Sequence, residues 1–275
     1  MPEIFAAKLS SVIPMIILFL SGITVIRRKY GTDIASLFCA CIISMPQLEN
    51  YGVEIRMYSL ALLFVTLSGL CCLIYFRDKN ILYLSGMTVF SILAAYTHYF
   101  GAIAVSILFM ILLVHYLRLK EIKNLLSVII SVIICCVAYL PWLPLLLNQF
   151  SAVRSDYWIS PITFHTVINY ITFVFGYYTL FPVFVLMIST FVLYNKKHSA
   201  ARKPFLISIS PLLWILFVGV TVSFATRPVL IDRYFIPALG LFWFGMILTL
   251  ISFDKKSMRY YLTISIMCIA LINIY

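Results

Sequence analysis

Mostly apolar runs long enough to cross a lipid bilayer recur from one end of this 275-residue chain to the other. A hydrocarbon core about 30 Å thick takes roughly 20 helical residues to span. Inside it the backbone must satisfy its own hydrogen bonds, which leaves only helices or closed barrels. The runs are continuous rather than alternating, so they predict helices. Ten candidate spans follow: about 8–26, 33–48, 57–76, 81–97, 99–117, 124–147, 174–194, 205–225, 233–252 and 258–275. The second is short, and "PITFHTVINYITFVFGYY" ahead of the seventh also reads as an amphipathic segment along the interface. With 64% hydrophobic and 11% charged residues, no interval is left for a soluble domain. The expected fold is all-α, a polytopic transmembrane helical bundle of about ten helices, with residues 1–275 as a single domain.

In a soluble protein a net charge of +11 would suggest nucleic acid as a partner, but here the basic residues stand in short clusters between apolar runs. Ten spans make the connections alternate between two sides. Arg27, Arg28, Lys29, Arg77, Lys79, Arg118, Lys120, Lys123, Lys196, Lys197, Arg202, Lys203, Lys255, Lys256 and Arg259 fall on one side, fifteen of the 20 Lys and Arg. Lys8, Arg56, Arg154, Arg227 and Arg233 fall on the other. The positive-inside rule makes the first set cytoplasmic. The remaining loops and both termini then face outward. Residues 1–30 end in a basic turn after a run of spanning length, unlike a cleavable leader, and are expected to be a retained helix.

The outward loops hold most of the functional side chains. All seven cysteines lie inside apolar runs, without the polar neighbours or partner histidine of a metal site, and are expected to pack as small apolar residues. In "ENYGVEIRMYSL", Glu54, Arg56 and Tyr58 share a side if the backbone is extended, whereas in a helix Arg56 turns away from the other two. An arginine there suits bidentate phosphate binding beside a carboxylate that orients it. It suits equally an ion pair that caps a helix at headgroup level. In "AYTHYFGAI", His98 and Tyr99 lie at an outer helix boundary, where aromatics commonly form a belt and where a histidine can accept or donate a proton near neutrality. "AYLPWLPLLLNQF" places Pro141 and Pro144 around Trp142, a pattern that ends or kinks a helix. "IDRYFIPALG" supplies a second pairing of carboxylate, Arg233 and Tyr234. Two arginines converging on one anionic group would suit a lipid-linked phosphate.

"YGVEIRMYSLALLF", "THYFG", "YLPWLPLLL" and "DRYFIPAL", in this order and at helix-scale spacing, resemble the polytopic GT-C glycosyltransferases of the aminoarabinose-transferase and protein O-mannosyltransferase type, family 39 or RgtA-like. The resemblance extends over nearly the whole chain and is carried by the combination of motifs. It implies an enzyme, a hexosyl- or pentosyltransferase that moves a sugar from a polyprenyl-phosphate donor to an envelope glycan, lipid or protein acceptor on the outer face of the membrane. By motif position, Glu54, Arg56 and Tyr58, His98 and Tyr99, and Arg233 and Tyr234 become the substrate-binding candidates, with Arg56 and Arg233 on phosphate and Glu54 orienting Arg56 or touching sugar. No metal ligand set and no cofactor is indicated, and a divalent cation stays open.

One departure bears on catalysis. The family begins with a cytoplasmic N-terminus, a helix and a large outer loop bearing the acidic general base, whereas only "MPE" precedes the counterpart of the second family helix here. The chain is therefore expected to lack that helix and loop, and no catalytic residue is assigned. Glu49, Glu54, Asp156 and Asp232 are outer-face acids, none matching the family base. Two other classes stay in view: a lipid-linked sugar transporter or polysaccharide export component, and an inactive partner of an intact transferase. A transporter would carry polar or broken helices at mid-membrane in paired repeats; here polar residues gather at outer helix ends and no repeat is evident.

Overall fold

A computed structural model of the chain describes residues 2–45, 47, 51–152, 159–175 and 199–250. The described residues form helices and connecting turns. Helix α1 (Pro2–Ser21) runs through a π-helical turn, Gly22–Ile26, into a last turn, Arg27–Tyr30. There follow α2 (Thr32–Ile43), α3 (Tyr58–Asp78), α4 (Ile81–Thr97), α5 (Tyr99–Leu119), α6 (Ile122–Tyr139), α7 (Leu143–Ala152), α8 (Phe164–Phe175), α9 (Ser199–Ala225) and α10 (Ile236–Leu250).

Among the described residues, five stretches are long and apolar enough to cross a membrane: Phe5–Tyr30, Tyr58–Asp78, Tyr99–Leu119, Ile122–Gln149 and Arg202–Ala225. The expected all-α membrane bundle is thus the observed fold. Candidate spans two, four and nine form the shorter helices α2, α4 and α10. The tenth, and all but the first residues of the seventh, lie outside the described residues.

Helix α3 is the axis of the bundle, packed by α1, α4, α5 and α10. Lipid is as apolar as leucine, so close backbone approach rather than water exclusion must hold such helices together. Small residues provide it. A Cβ on Gly69 would fall 2.3 Å from the Leu241 side chain, and one on Gly240 would fall 2.2 Å from Thr66 Oγ1, which brings α3 and α10 into near backbone contact. Polar links add direction: the Ser68 and Ser91 hydroxyls pair at 2.8 Å between α3 and α4, and Trp214 Nε1 of α9 donates to Ser106 Oγ of α5 at 3.0 Å. Tyr30 and Phe38 both meet Phe244 edge to face, with centroids 5.1 and 6.0 Å apart. By contrast α6 is nearly all surface, its isoleucines turned outward.

The two ends of the bundle differ. At one end the basic turns interlock: Lys29 Nζ reaches Asp78 at 3.1 Å, Arg77 holds the same carboxylate at 2.7 Å, and Lys79 Nζ meets Glu121 at 2.7 Å. Pairs this exposed are each worth at most about 1 kcal/mol. Their service is to fix the register of the α1, α3 and α5 ends. The hairpin turns there close on left-handed residues, Lys79 at φ 52° and Lys120 at φ 57°. About 30 Å away along α3, at 1.5 Å per residue, lies the end that collects the motifs "VEIRMY", "THYFG" and "DRYF".

Candidate functional site

The segment before α3 is neither extended nor helical. Residues 54–56 form a bend in which the Arg56 N–H donates to the Glu54 carbonyl at 2.7 Å, and α3 opens at Tyr58. Ser11 of α1 pins the bend by donating its hydroxyl to the Glu54 and Arg56 carbonyls. Glu54 and Arg56 pair side by side at 2.9 Å, with 36% and 42% of their side chains exposed. Tyr58 is 2% exposed, and its phenol stays within hydrogen-bonding reach of Arg56. The bend therefore joins a part-exposed ion pair to a buried phenol through Arg56.

Tyr58 packs on His98, ring centroids 5.6 Å apart, and His98 packs on Tyr234 at 5.1 Å. Tyr234 stacks on Phe100 at 4.5 Å, and Tyr51 meets Tyr58 at 5.4 Å. Three motifs separated by tens of residues thus close into one aromatic cluster. The Arg233 guanidinium acts electrostatically on Tyr51, Tyr58 and His98 alike. Asp232 opens the 3-10 turn Asp232–Phe235 and accepts from the Arg233 N–H at 2.7 Å. Tyr99, 37% exposed, turns aside and donates its hydroxyl to Gln149 of α7.

His98 is the hinge between α4 and α5. Its N–H closes α4 on the Ala94 carbonyl at 3.1 Å, and its Nδ1 accepts from the Phe100 N–H at 3.0 Å as the N-cap of α5. A capping lone pair on Nδ1 leaves the ring proton on Nε2. Burial, aided by the Arg233 charge, pushes the imidazole down to about 4 from an ordinary 6.5. At neutral pH His98 is therefore an uncharged Nε2–H donor rather than a base poised near neutrality.

An unfolded chain takes up that proton near pH 6.5 and the folded one only near 4. Stability from neutral His98 is then full above about pH 6.5 and declines as pH falls toward about 4. His98→Gln does not titrate, so thermal midpoints in detergent measured between pH 7.5 and 4.5 should fall less steeply for the variant. Parallel curves would contradict this account of the cap.

A cavity of about 700 Å³ adjoins the cluster, with His98, Tyr99, Tyr234, Gln149 and Arg227 among its lining residues. Its other walls, among them Ile103, Leu146, Val218 and Val222, are apolar. Pro141 ends α6 in a 3-10 turn, Leu140–Trp142, from which α7 continues. Trp142 consequently faces this cavity and meets Tyr96 edge to face at 5.7 Å. Arg227 was visible in "TRPVLIDRYF" only as one more loop charge, and only tertiary packing brings it to the wall. Helix α8 was legible as an amphipathic segment but not as a support of the site. Its Tyr170 hydroxyl donates to the Leu230 carbonyl at 2.7 Å, and its Phe173 ring meets Tyr51 at 6.1 Å. Among the acids considered, Glu54 is ion-paired and Asp232 caps its own turn, while Glu49 and Asp156 lie outside the described residues.

An all-α bundle of membrane-spanning helices, with cationic, phenolic and imidazole groups gathered beside a largely apolar cavity at one end, defines an integral membrane protein with a candidate site at that end. Residues 9–160 match the family described as arabinofuranosyltransferase N terminal, and the chain belongs to that family of GT-C type membrane glycosyltransferases. No curated protein and no solved structure matches it.

Proposed function

We propose that this chain binds a polyprenyl-phosphate pentose, arabinofuranose in keeping with the family's description, and serves its transfer to an envelope glycan or lipid acceptor at the outer face of the membrane. The observation that carries the reading is the closure of Tyr58, His98 and Tyr234 into one cluster under the influence of Arg233, beside a largely apolar cavity that His98, Tyr234 and Arg227 also line. Such a cavity matches a molecule with an anionic head and a hydrocarbon tail. In this reading Arg56, Arg227 and Arg233 attract the phosphate, the His98 Nε2–H and the Tyr234 hydroxyl donate to phosphate or sugar, Tyr99 lines the cavity with its hydroxyl held by Gln149, and Glu54 orients Arg56. The outer face is assigned because fifteen of the 20 basic residues stand in the opposite set of loops.

The test is sugar transfer by the protein in liposomes, given polyprenyl-phosphoryl arabinose or a nucleotide-linked arabinose. Use of the lipid-linked donor alone is expected, with Arg56→Ala and Arg233→Ala each lowering it. Donor binding unchanged in both variants would overturn the phosphate assignment, and preference for the nucleotide donor would overturn the proposed donor class.

A further inference from the structure

Helix α8 contains no Asp, Glu, Lys or Arg and sorts its side chains by face. Phe164, Val167, Ile168 and Ile171 are exposed, whereas Tyr170 and Val174 are buried and Phe173 half-buried, a spacing of three and four residues that puts these last three on one side. That side meets both motif-bearing loops. Phe173 offers its ring to Tyr51 at 6.1 Å and its carbonyl to Gln47 Nε2. Tyr170 sets its ring against Phe235 at 5.3 Å, donates its hydroxyl to the Leu230 carbonyl at 2.7 Å and lies within electrostatic reach of Asp232. We infer that α8 is a brace between the two loops and that Tyr170 is the positioning residue that holds the Arg233 turn in place, an inference that rests on the function proposed above.

Leu230 stands midway between Arg227 and Arg233, three residues from each, and the two halves of the loop are held differently. The Arg227 half belongs to α9: the Val229 N–H donates to Ser223 Oγ at 3.0 Å, and the Leu230 side chain lies over Gly219, where a Cβ would fall 2.6 Å from it. On the Arg233 side Ile231 is extended, at φ −133° and ψ 161°, so no helical turn stiffens the step from Leu230 into the Asp232–Phe235 turn. A buried carbonyl must find a donor, and at Leu230 the Tyr170 phenol is that donor. Without the hydroxyl this carbonyl is left unpaired, and the turn must shift to satisfy it, carrying Arg233 and Tyr234 along. Tyr170 does not line the cavity, so its effect on a ligand there passes through the turn it holds.

The experiment is a set of double-mutant cycles on the full chain in nanodiscs, with decaprenyl phosphate as the probe. Tyr170→Phe keeps the ring against Phe235 and removes only the hydroxyl. It is expected to weaken decaprenyl phosphate binding about fivefold in the wild-type background, less than about twofold in Arg233→Ala, and again about fivefold in Arg227→Ala. In transfer assays it should raise KM for the lipid-linked donor and leave kcat within about twofold of wild type. Gln47→Met, which cuts the tie of α8 to the other loop at similar side-chain length, repeats the cycle should Tyr170→Phe not fold, and its loss too should shrink below about twofold in Arg233→Ala. A loss of equal size in every background, or a fall in kcat at constant KM, would make Tyr170 a general support of the fold and overturn the inference. Undiminished binding in Tyr170→Phe beside a loss in Arg233→Ala would overturn the brace and leave the proposed function standing. If the wild-type protein does not bind decaprenyl phosphate, the proposed function falls and the brace with it.

Discussion

Alanine at Arg227 is expected to weaken binding of a polyprenyl-phosphate sugar about thirtyfold or more, the largest loss among the three arginines proposed to attract the phosphate. Truncating one member of a buried, hydrogen-bonded charge pair costs about 2–5 kcal/mol, and each 1.4 kcal/mol is tenfold in affinity. Arg227 is half-buried and lines the same cavity as His98 and Tyr234. A phosphate held there would be screened far less than one at Arg56, which is 42% exposed and already paired with Glu54. Arg227→Lys keeps the charge but loses the planar fork, so it should recover part of the affinity. The residue lies in the non-helical connection between α9 and α10, outside any helix interior, so the thermal midpoint of the alanine variant should stay within a few degrees of wild type. An affinity unchanged in Arg227→Ala would remove this residue from the site, and a collapsed midpoint would make its role structural.

That Arg227 escaped the sequence shows where legibility ends. Apolar runs and the alternation of basic loops carry the architecture because both are local signals, one of length and one of count. The basic turns do collect at one end, through Lys29, Asp78, Lys79 and Glu121, and the motif-bearing loops at the other. The motifs also announced their aromatic and basic members. What they could not announce was orientation. Glu54, Arg56 and Tyr58 were open between an extended and a helical reading, and the observed bend buries Tyr58 beneath a part-exposed ion pair whose Arg56 it still meets. His98 looked like a group able to trade protons near neutrality, but its Nδ1 is consumed in capping α5. Trp142 was legible only as a residue between two helix-breaking prolines, and it borders the cavity because the 3-10 turn at Pro141 carries it toward Tyr96. Each difference arises from a contact between segments far apart in the chain, which no window of local sequence contains.

The same dependence on a distant geometry makes Gly101 the most sensitive position around the site, and Gly101→Val should abolish lipid-linked donor binding while lowering the thermal midpoint by several degrees. A Cβ at Gly101 would stand 2.7 Å from the Ala94 carbonyl oxygen, 3.3 Å from its carbon and 3.7 Å from its Cβ. The first of these is backbone, and it is already the acceptor that closes α4 on the His98 N–H at 3.1 Å. No side-chain rotation relieves the contact; the last turn of α4 and the first turn of α5 must separate. Overpacking of this kind costs about 1–3 kcal/mol, and here the strain falls on one turn. Gly101 and Ala102 both donate their N–H to the His98 carbonyl, at 2.8 and 3.1 Å, so displacing α5 carries His98 away from Tyr58 and Tyr234. Gly101→Ala should show the same pattern in weaker form, since its one methyl group meets the same oxygen without the branched bulk of valine. Gly86 offers the control: a Cβ there would have a single neighbour within 4 Å, the flexible Cys71 Sγ at 3.2 Å, so Gly86→Ala should leave donor binding intact. Thermal midpoints and decaprenyl phosphate binding measured on the three variants separate the outcomes. Wild-type binding in Gly101→Val would mean that the α4–α5 turn does not position the site.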